Sequence, residues 1–286
     1  MTNEVPVSER RACGLVGGHR SSLRYQSRRR TGSELLQRLR ELAQEHPRWG
    51  YRLLGDVLRL HGINVNHKRL YRIYKAEGLR LPRRRPRRGP RPRAIPLQTA
   101  DRPNQQVSLD FVSDSFSNGR RFRCLTLIDE YTRESPTLVA ATSFSGKRVT
   151  RILDELAATR GYPEVLRLDN GPEFTSAALH CWARQNHVRL HFIDPGKPTQ
   201  NAFIERFNGT FRDECLNAHW FIDLADARRE IEAWRHACNK ARPHSSLGRI
   251  PPAVYIHRLA TRCGNRGNRC AISTVPTALR RLRHSH

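Results

Sequence analysis

Residues 80–96 read RLPRRRPRRGPRPRAIP, with eight Arg and five Pro, and this segment constrains the fold more than any other. It has almost nothing to bury, and Pro blocks both helix and sheet interiors. Such a stretch cannot lie inside a domain, so it divides the chain into a part before it and a part after it. The charge divides along the same seam. Of the 52 Lys and Arg and 26 Asp and Glu that give a net charge of +26, residues 1–100 hold 24 and 7 and residues 101–255 hold 21 and 19, leaving 7 and none for residues 256–286. A nearly neutral middle between basic ends is the pattern of a folded core with extensions that attract a polyanion. The Arg-Pro segment suits salt-dependent contact with phosphates, through Arg83, Arg84, Arg85, Arg87 and Arg88. An anionic membrane surface is the weaker partner, because no amphipathic anchor flanks the segment. No stretch approaches the roughly 18 consecutive apolar residues of a membrane helix, and no basic-then-apolar leader opens the chain, so a cytoplasmic protein is expected. The seven cysteines are scattered without a C-x-x-C pair, which favours free thiols over disulfides or a zinc module.

Ahead of the linker, three apolar stripes have helical spacing: Leu35, Leu36, Leu39 and Leu42; Leu53, Leu54, Val57 and Leu58; and Leu70, Ile73 and Tyr74. Ser33 is a candidate cap for the first helix and Asn66 for the third. The third helix carries Asn66, Lys68, Arg69 and Arg72 toward its N-terminal end, where a recognition helix meets DNA. A small bundle with a solvated basic face is the plainer reading, and the adjoining Arg-Pro linker favours DNA binding over it. After the linker, alternation predicts strands at 106–116, 121–132, 136–142, 165–169 and 189–193, with helices near 149–160, 176–186 and 224–240. That order demands a mixed five-stranded sheet with flanking helices, an α/β architecture. The layout expected is a helical, helix-turn-helix-like DNA-binding region at 1–79, a basic linker at 80–100, an α/β core at 101–255 and a basic, disordered tail at 256–286.

Three acids stand where an acid is costly. Asp110 lies inside an apolar strand, Asp169 at a strand end before Asn170-Gly171, and Glu205 in an aromatic-rich helix. A buried carboxylate must be paired, hydrogen-bonded or bound to metal. At about 100° per residue, Asn201, Glu205, Asn208 and Arg212 fall on one stripe of that helix, and Phe203, Ile204, Phe207 and Phe211 on another. A solvated ion pair of Glu205 with Arg206 or Arg212 explains the helix alone equally well. Gly209 within it costs about 1 kcal/mol relative to Ala, and a close backbone approach is the expected reason. Together, two strand Asp and a helical Glu form an all-oxygen ligand set without Cys/His spacing, which suits Mg²⁺ or Mn²⁺ and argues against zinc. The rival pair Asp129-Glu130 reads as structural.

The same acids carry a recognisable pattern. Asp169 and Glu205 have 35 residues between them, Arg212 follows Glu205 by seven, and LDNGPEF, PGKPTQNAFIERFNGTFRDECLN and RPHSSLG surround them. The set resembles the DDE integrase core of retroviral integrases and insertion-sequence transposases, most closely the second-reading-frame product of two-frame elements. The resemblance implies an RNase H-like core with Asp110, Asp169 and Glu205 as ligands of two Mg²⁺ or Mn²⁺ ions. It implies that Arg212, Lys197, Gln200, Asn201 and Asn208 touch terminal double-stranded DNA, and that element ends are cleaved and joined to target DNA. It further implies a homo-oligomer on DNA, a first-reading-frame product as partner or fusion, and a bacterial cytoplasmic, nucleoid-associated location. The competing readings are an inactive DNA-binding regulatory product of a decayed element and a structure-directed nuclease. Deletion of residues 80–93 is expected to flatten the dependence of log affinity for DNA on log salt concentration; an unchanged slope in that titration would place the phosphate contacts elsewhere.

Overall fold

The computed structural model describes residues 7–24, 32–82, 100–194 and 201–264. The linker arginines Arg83, Arg84, Arg85, Arg87 and Arg88, together with Lys197 and Gln200, lie outside the described residues. Ahead of the linker run α1 (Glu9–Val16), α2 (Arg20–Leu23), α3 (Ser33–Glu45), α4 (Tyr51–Leu60) and α5 (His67–Ala76). The leucine stripes of the last three converge on one cluster built from Leu35, Leu39, Leu42, Leu54, Val57, Leu58, Leu70 and Tyr74. Helices α1 and α2 were not legible as apolar stripes, and α1 buries Cys13 alone. Asn66 caps α5 as expected, its Oδ1 accepting from Lys68 N at 2.9 Å. Helix α3 already begins at Ser33, and Gly32 holds the cap position. Helix α4 meets α5 closely at Gly55, where a Cβ would stand 2.7 Å from Leu70 Cδ2.

The second part is a five-stranded sheet in the order β3-β2-β1-β4-β5, formed by β1 (Gln106–Ser115), β2 (Arg121–Asp129), β3 (Leu138–Ala141), β4 (Val165–Leu168) and β5 (Arg189–Phe192). The β1–β2 and β2–β3 pairs are antiparallel, whereas β1–β4 and β4–β5 are parallel. The period-2 alternation of β1 sorts its side chains between two cores. Val107 and Leu109 pack with Val149, Ile152 and Leu153 of α6 (Gly146–Arg160) and with Leu179 and Trp182 of α7 (Ala177–Gln185). On the opposite face Val112 packs with Ile204, Phe207 and Phe211 of α8 (Ala202–Glu214) and with Ala227 and Ile231 of α9 (Leu224–Lys240). Cys124, Cys215 and Cys238 are free thiols within this second core, where burial pushes their pKa values up.

One boundary differs from the sequence reading. The sequence reading expects a disordered tail from residue 256, yet α10 runs Pro252–Gly264. Pro is well suited to the first position of a helix, where its missing N–H has no intrahelical acceptor to meet. Tyr255 of α10 then lies against Tyr131, ring centroids 6.0 Å apart. Among the described residues, no helix is long and apolar enough to cross a membrane.

Asp129 and Glu130 are structural, as read. Asp129 is fully buried and accepts from Asn104 N, Tyr131 N and Thr132 N at 2.8, 2.9 and 3.0 Å. Glu130 is buried against Arg167, 3.3 Å away, and accepts from Ser108 Oγ. Removing one member of a buried pair strands the other, so Glu130→Ala is expected to lower unfolding free energy by about 3 kcal/mol in a denaturant titration. A change within about 0.5 kcal/mol, the range of surface substitutions, would contradict this role.

Candidate active site

The parallel register brings the two aspartates together. Ser108 of β1 stands opposite Arg167 of β4, and continuing two residues along both chains sets Asp110 beside Asp169, just past the strand end. Asp110 faces α8, because it shares the β1 face of Val112 and not that of Leu109. Helix α8 buries Ile204, Phe207 and Phe211 on the sheet, which leaves Glu205, Asn208 and Arg212 along an open cleft with Asp110 and Ser113. Of the three acids that the sequence singled out, Asp110 and Glu205 line this cleft, whereas Asp169 stands beside Asp110 past the end of β4 and outside the lining; the charges of Asp169 and Glu205 both act on Asp110.

Asp110, Asp169 and Arg212 are each held by hydrogen bonds. Asp110 Oδ1 accepts from Phe111 N and Oδ2 from Asn208 Nδ2, both at 2.7 Å. Burial pushes the Asp110 pKa up to about 6, against the pull of the Phe111 hydrogen bond; the Asp169 and Glu205 charges push it further up, and Asn208 opposes them. Asp169 Oδ1 accepts from Gly171 N at 3.0 Å, a contact so close that a Cβ on Gly171 would stand 3.0 Å from that oxygen. Arg212 Nη2 donates to Ser113 O at 3.1 Å, which holds the guanidinium at the cleft mouth. Among the described residues, neither Arg206 nor Arg212 pairs with Glu205, so the solvated ion pair is not formed.

Several expectations are corrected. Phe203 does not join the sheet core; it is half-buried beneath the Arg133 guanidinium, 3.8 Å from its ring centroid. Asn201 is 3% exposed and does not line the cleft with Glu205. No backbone approaches Gly209: a Cβ there meets open space, and the residue lines the cleft mouth. Ser113 was missed, and its strand alternation places it on the side away from Asp110, so only its carbonyl reaches the site. Asn66, Lys68, Arg69 and Arg72 are all exposed at the start of α5, as a groove-facing set must be.

The residues fit a divalent cation by the chemistry of their donors, three carboxylates and the buried Asn208 Oδ1, which has no hydrogen-bond partner. Among the described residues no three His, Cys, Asp or Glu groups are drawn as close as a coordinated ion requires. Like charges repel at close range, and Asp110 and Asp169 are instead turned onto neighbouring N–H groups.

Comparison with known proteins agrees with this fold. Two integrase core domain models match residues 100–198 and 186–252, and an HTH-like domain model matches residues 32–87. The chain is 50% identical over 253 residues to the insertion element IS407 31.7 kDa protein of Burkholderia multivorans, covering 88% of this chain and 91% of that one. The chain belongs to the insertion-element transposase family. The transposase is also 28% identical to the InsD transposase of insertion element IS2 from Escherichia coli, over 85% of each chain. Its fold matches a chain of the simian T-cell lymphotropic virus intasome, solved with the PP2A regulatory subunit B56 gamma, with a TM-score of 0.50, 16% identity and coverage of 77% and 74%. It is thus an enzyme of the transposase/integrase class with an RNase H-like mixed sheet and an N-terminal HTH-like region.

The raised Asp110 pKa has a stability consequence whose sign is fixed. Below pH 3.8 the group is protonated in both states; between pH 3.8 and 6 the folded form retains a proton that the unfolded chain releases, so stability falls as pH rises. Asp110→Asn lacks this penalty. In metal-free buffer the variant is expected to gain about 2 to 3 kcal/mol on the wild type between pH 3.5 and pH 7, measured by denaturant unfolding. Parallel pH profiles would show that Asp110 is not buried beside like charges.

Proposed function

We propose that Asp110, Asp169 and Glu205 are the catalytic carboxylates of the transposase and that they hold Mg²⁺ or Mn²⁺, two ions in the working complex. The observation that carries this reading is Asp110 itself: a half-buried acid on the central strand, under the fields of both other acids, with the unpartnered Asn208 Oδ1 beside it. When bound, the ions supply Lewis-acid activation of a water or 3′-hydroxyl and stabilise the departing 3′ oxygen. Asp110 and Asp169, on adjacent strands, form the rigid side of the ligand set, and Glu205 closes it from α8. Asn208 orients Asp110 through its Nδ2, and Arg212, fixed on Ser113 O, meets a phosphate of the terminal DNA at the cleft mouth.

In the proposed layout, residues 1–79 recognise the element end, the linker at 80–100 follows the duplex phosphates, and a core that reaches through α10 carries out the chemistry. Exposed Asn66, Lys68, Arg69 and Arg72 at the N-terminus of α5 support groove contact. Lys197 and Gln200, which precede α8 in sequence, are proposed to contact the same terminal DNA alongside Asn208 and Arg212, whereas the buried Asn201 is not. The working form is a homo-oligomer on double-stranded DNA, with the first-frame product of the element as partner or fusion. The bacterial cytoplasm, at the nucleoid, is the proposed location.

Asp169→Asn and Glu205→Gln are expected to abolish cleavage and joining of labelled element-end DNA in Mg²⁺ or Mn²⁺ while leaving affinity for the same DNA within about twofold, because they touch transition-state and not ground-state contacts. Variants that cut at the wild-type rate would remove these residues from the site.

A further inference from the structure

A second cavity, of about 450 Å³, opens on the other side of α8. Phe203, Arg206, Phe207 and Thr210 line it, whereas Glu205, Asn208, Gly209 and Arg212 line the carboxylate cleft. At about 100° per residue these two sets point in nearly opposite directions. The far wall is α4 of the HTH-like region, and the floor is the turn that follows α9, where RPHSSLG lies.

The lining carries an excess of cations that the protein does not neutralise. Asp56 is the acid on the wall, and Arg59 and Arg249 already share it at 3.4 and 3.2 Å. Arg242 is consumed by Glu214, at 2.8 Å. Arg52 and Arg206 have no carboxylate partner among the described residues, and Asp129 and Glu130, the acids that act on Arg133, are engaged elsewhere. Two buried nitrogens, Arg133 Nη1 and His244 Nε2, have no hydrogen-bond partner. Leaving a buried donor unsatisfied costs about 1 to 3 kcal/mol, and more for a charged group. Burial and the surrounding arginines Arg242, Arg133 and Arg206 push the His244 pKa down to about 4, so the ring is neutral and can present Nε2–H. Backbone strain points the same way, for Arg133 and Arg249 adopt left-handed φ angles of 60° and 64°, which non-glycine residues do at a cost. The Arg133 guanidinium carbon sits 3.8 Å from the Phe203 ring centroid, while its Nη1 is left for a ligand.

We propose that this cavity is a second phosphate-binding site, in which Arg52, Arg133, Arg206 and His244 grip a backbone phosphate of the bound DNA on the side of α8 remote from the carboxylates. The ligand class is a phosphodiester, which accepts from several N–H donors at once and carries the charge the cavity lacks. A duplex gripped here touches the HTH-like region and the core together, so the site ties end recognition to the position of α8. The proposal rests on DNA as the substrate and does not depend on the carboxylate assignment.

The test uses the full chain and a duplex carrying the element end. Arg52→Gln/Arg206→Gln, both at exposed positions, and separately Arg133→Gln are expected to lower the slope of log affinity against log salt by about 1 and to weaken binding about tenfold at 0.1 M salt, with Asp169→Asn unchanged. A methylphosphonate scan is expected to find one position where a neutral linkage weakens the wild type but not Arg133→Gln. Should Arg133→Gln melt well below the wild type, the scan is read on the Arg52/Arg206 double variant. Unchanged slopes in both variants, or a scan in which every position weakens wild type and variant alike, would overturn the proposal. So would stabilisation of the wild type by inorganic pyrophosphate with unaltered DNA slopes, which would assign the cavity to a small anion.

Discussion

The fold is organised around a carboxylate on the central strand of the sheet. Asp110 is neither buried among apolar side chains nor free in water: β1 alternates so that its neighbours Leu109 and Phe111 serve one core while Asp110 looks toward α8. A shift of one residue in the β1–β2 register, which pairs Asp110 with Thr126, would turn the acid into the α6–α7 core and an apolar side chain into the cleft. The parallel β1–β4 ladder then fixes where Asp169 emerges. The long antiparallel pairing of β1 with β2 is thus both the main structural ladder and the device that aims Asp110 at the cleft.

Helix α8 is the second determinant, and it serves two surfaces. Its buried stripe of Ile204, Phe207 and Phe211 fixes its rotation on the sheet, and that single rotation sets Glu205 toward the carboxylate cleft and Arg206 toward the cationic cavity. One side gathers negative charge that a cation must offset. The other gathers positive charge that a polyanion offsets. In the proposed reading a DNA strand with its metal ions satisfies both, and α8 joins the electrostatics of catalysis to those of binding.

Much of this was legible because it rests on periodicity. The alternation in β1, the stripe of α9 from Leu224 to Lys240 and the polar stripe Glu205, Asn208 and Arg212 follow directly from 2.0- and 3.6-residue spacing. What escaped had no periodic signal. Helix α1 buries a single cysteine, and the tail expected from residue 256 begins inside α10, which Pro252 opens. Asn201 and Phe203 were misplaced because the helix begins only at Ala202 and because Arg133, a loop residue 70 positions earlier, captures Phe203. The cavity around Arg133 and His244 is assembled from segments distant in sequence, and only the fold brings them together.

The central claim, that Asp110, Asp169 and Glu205 converge on divalent ions, is tested most directly by anomalous diffraction from crystals of the transposase bound to element-end DNA and soaked in Mn²⁺. The account predicts an anomalous peak between the Asp110 and Asp169 carboxylates, with oxygens at about 2.0 to 2.2 Å and Glu205 turned toward it. Anomalous density absent from this cleft, or present only at other carboxylates, would contradict it.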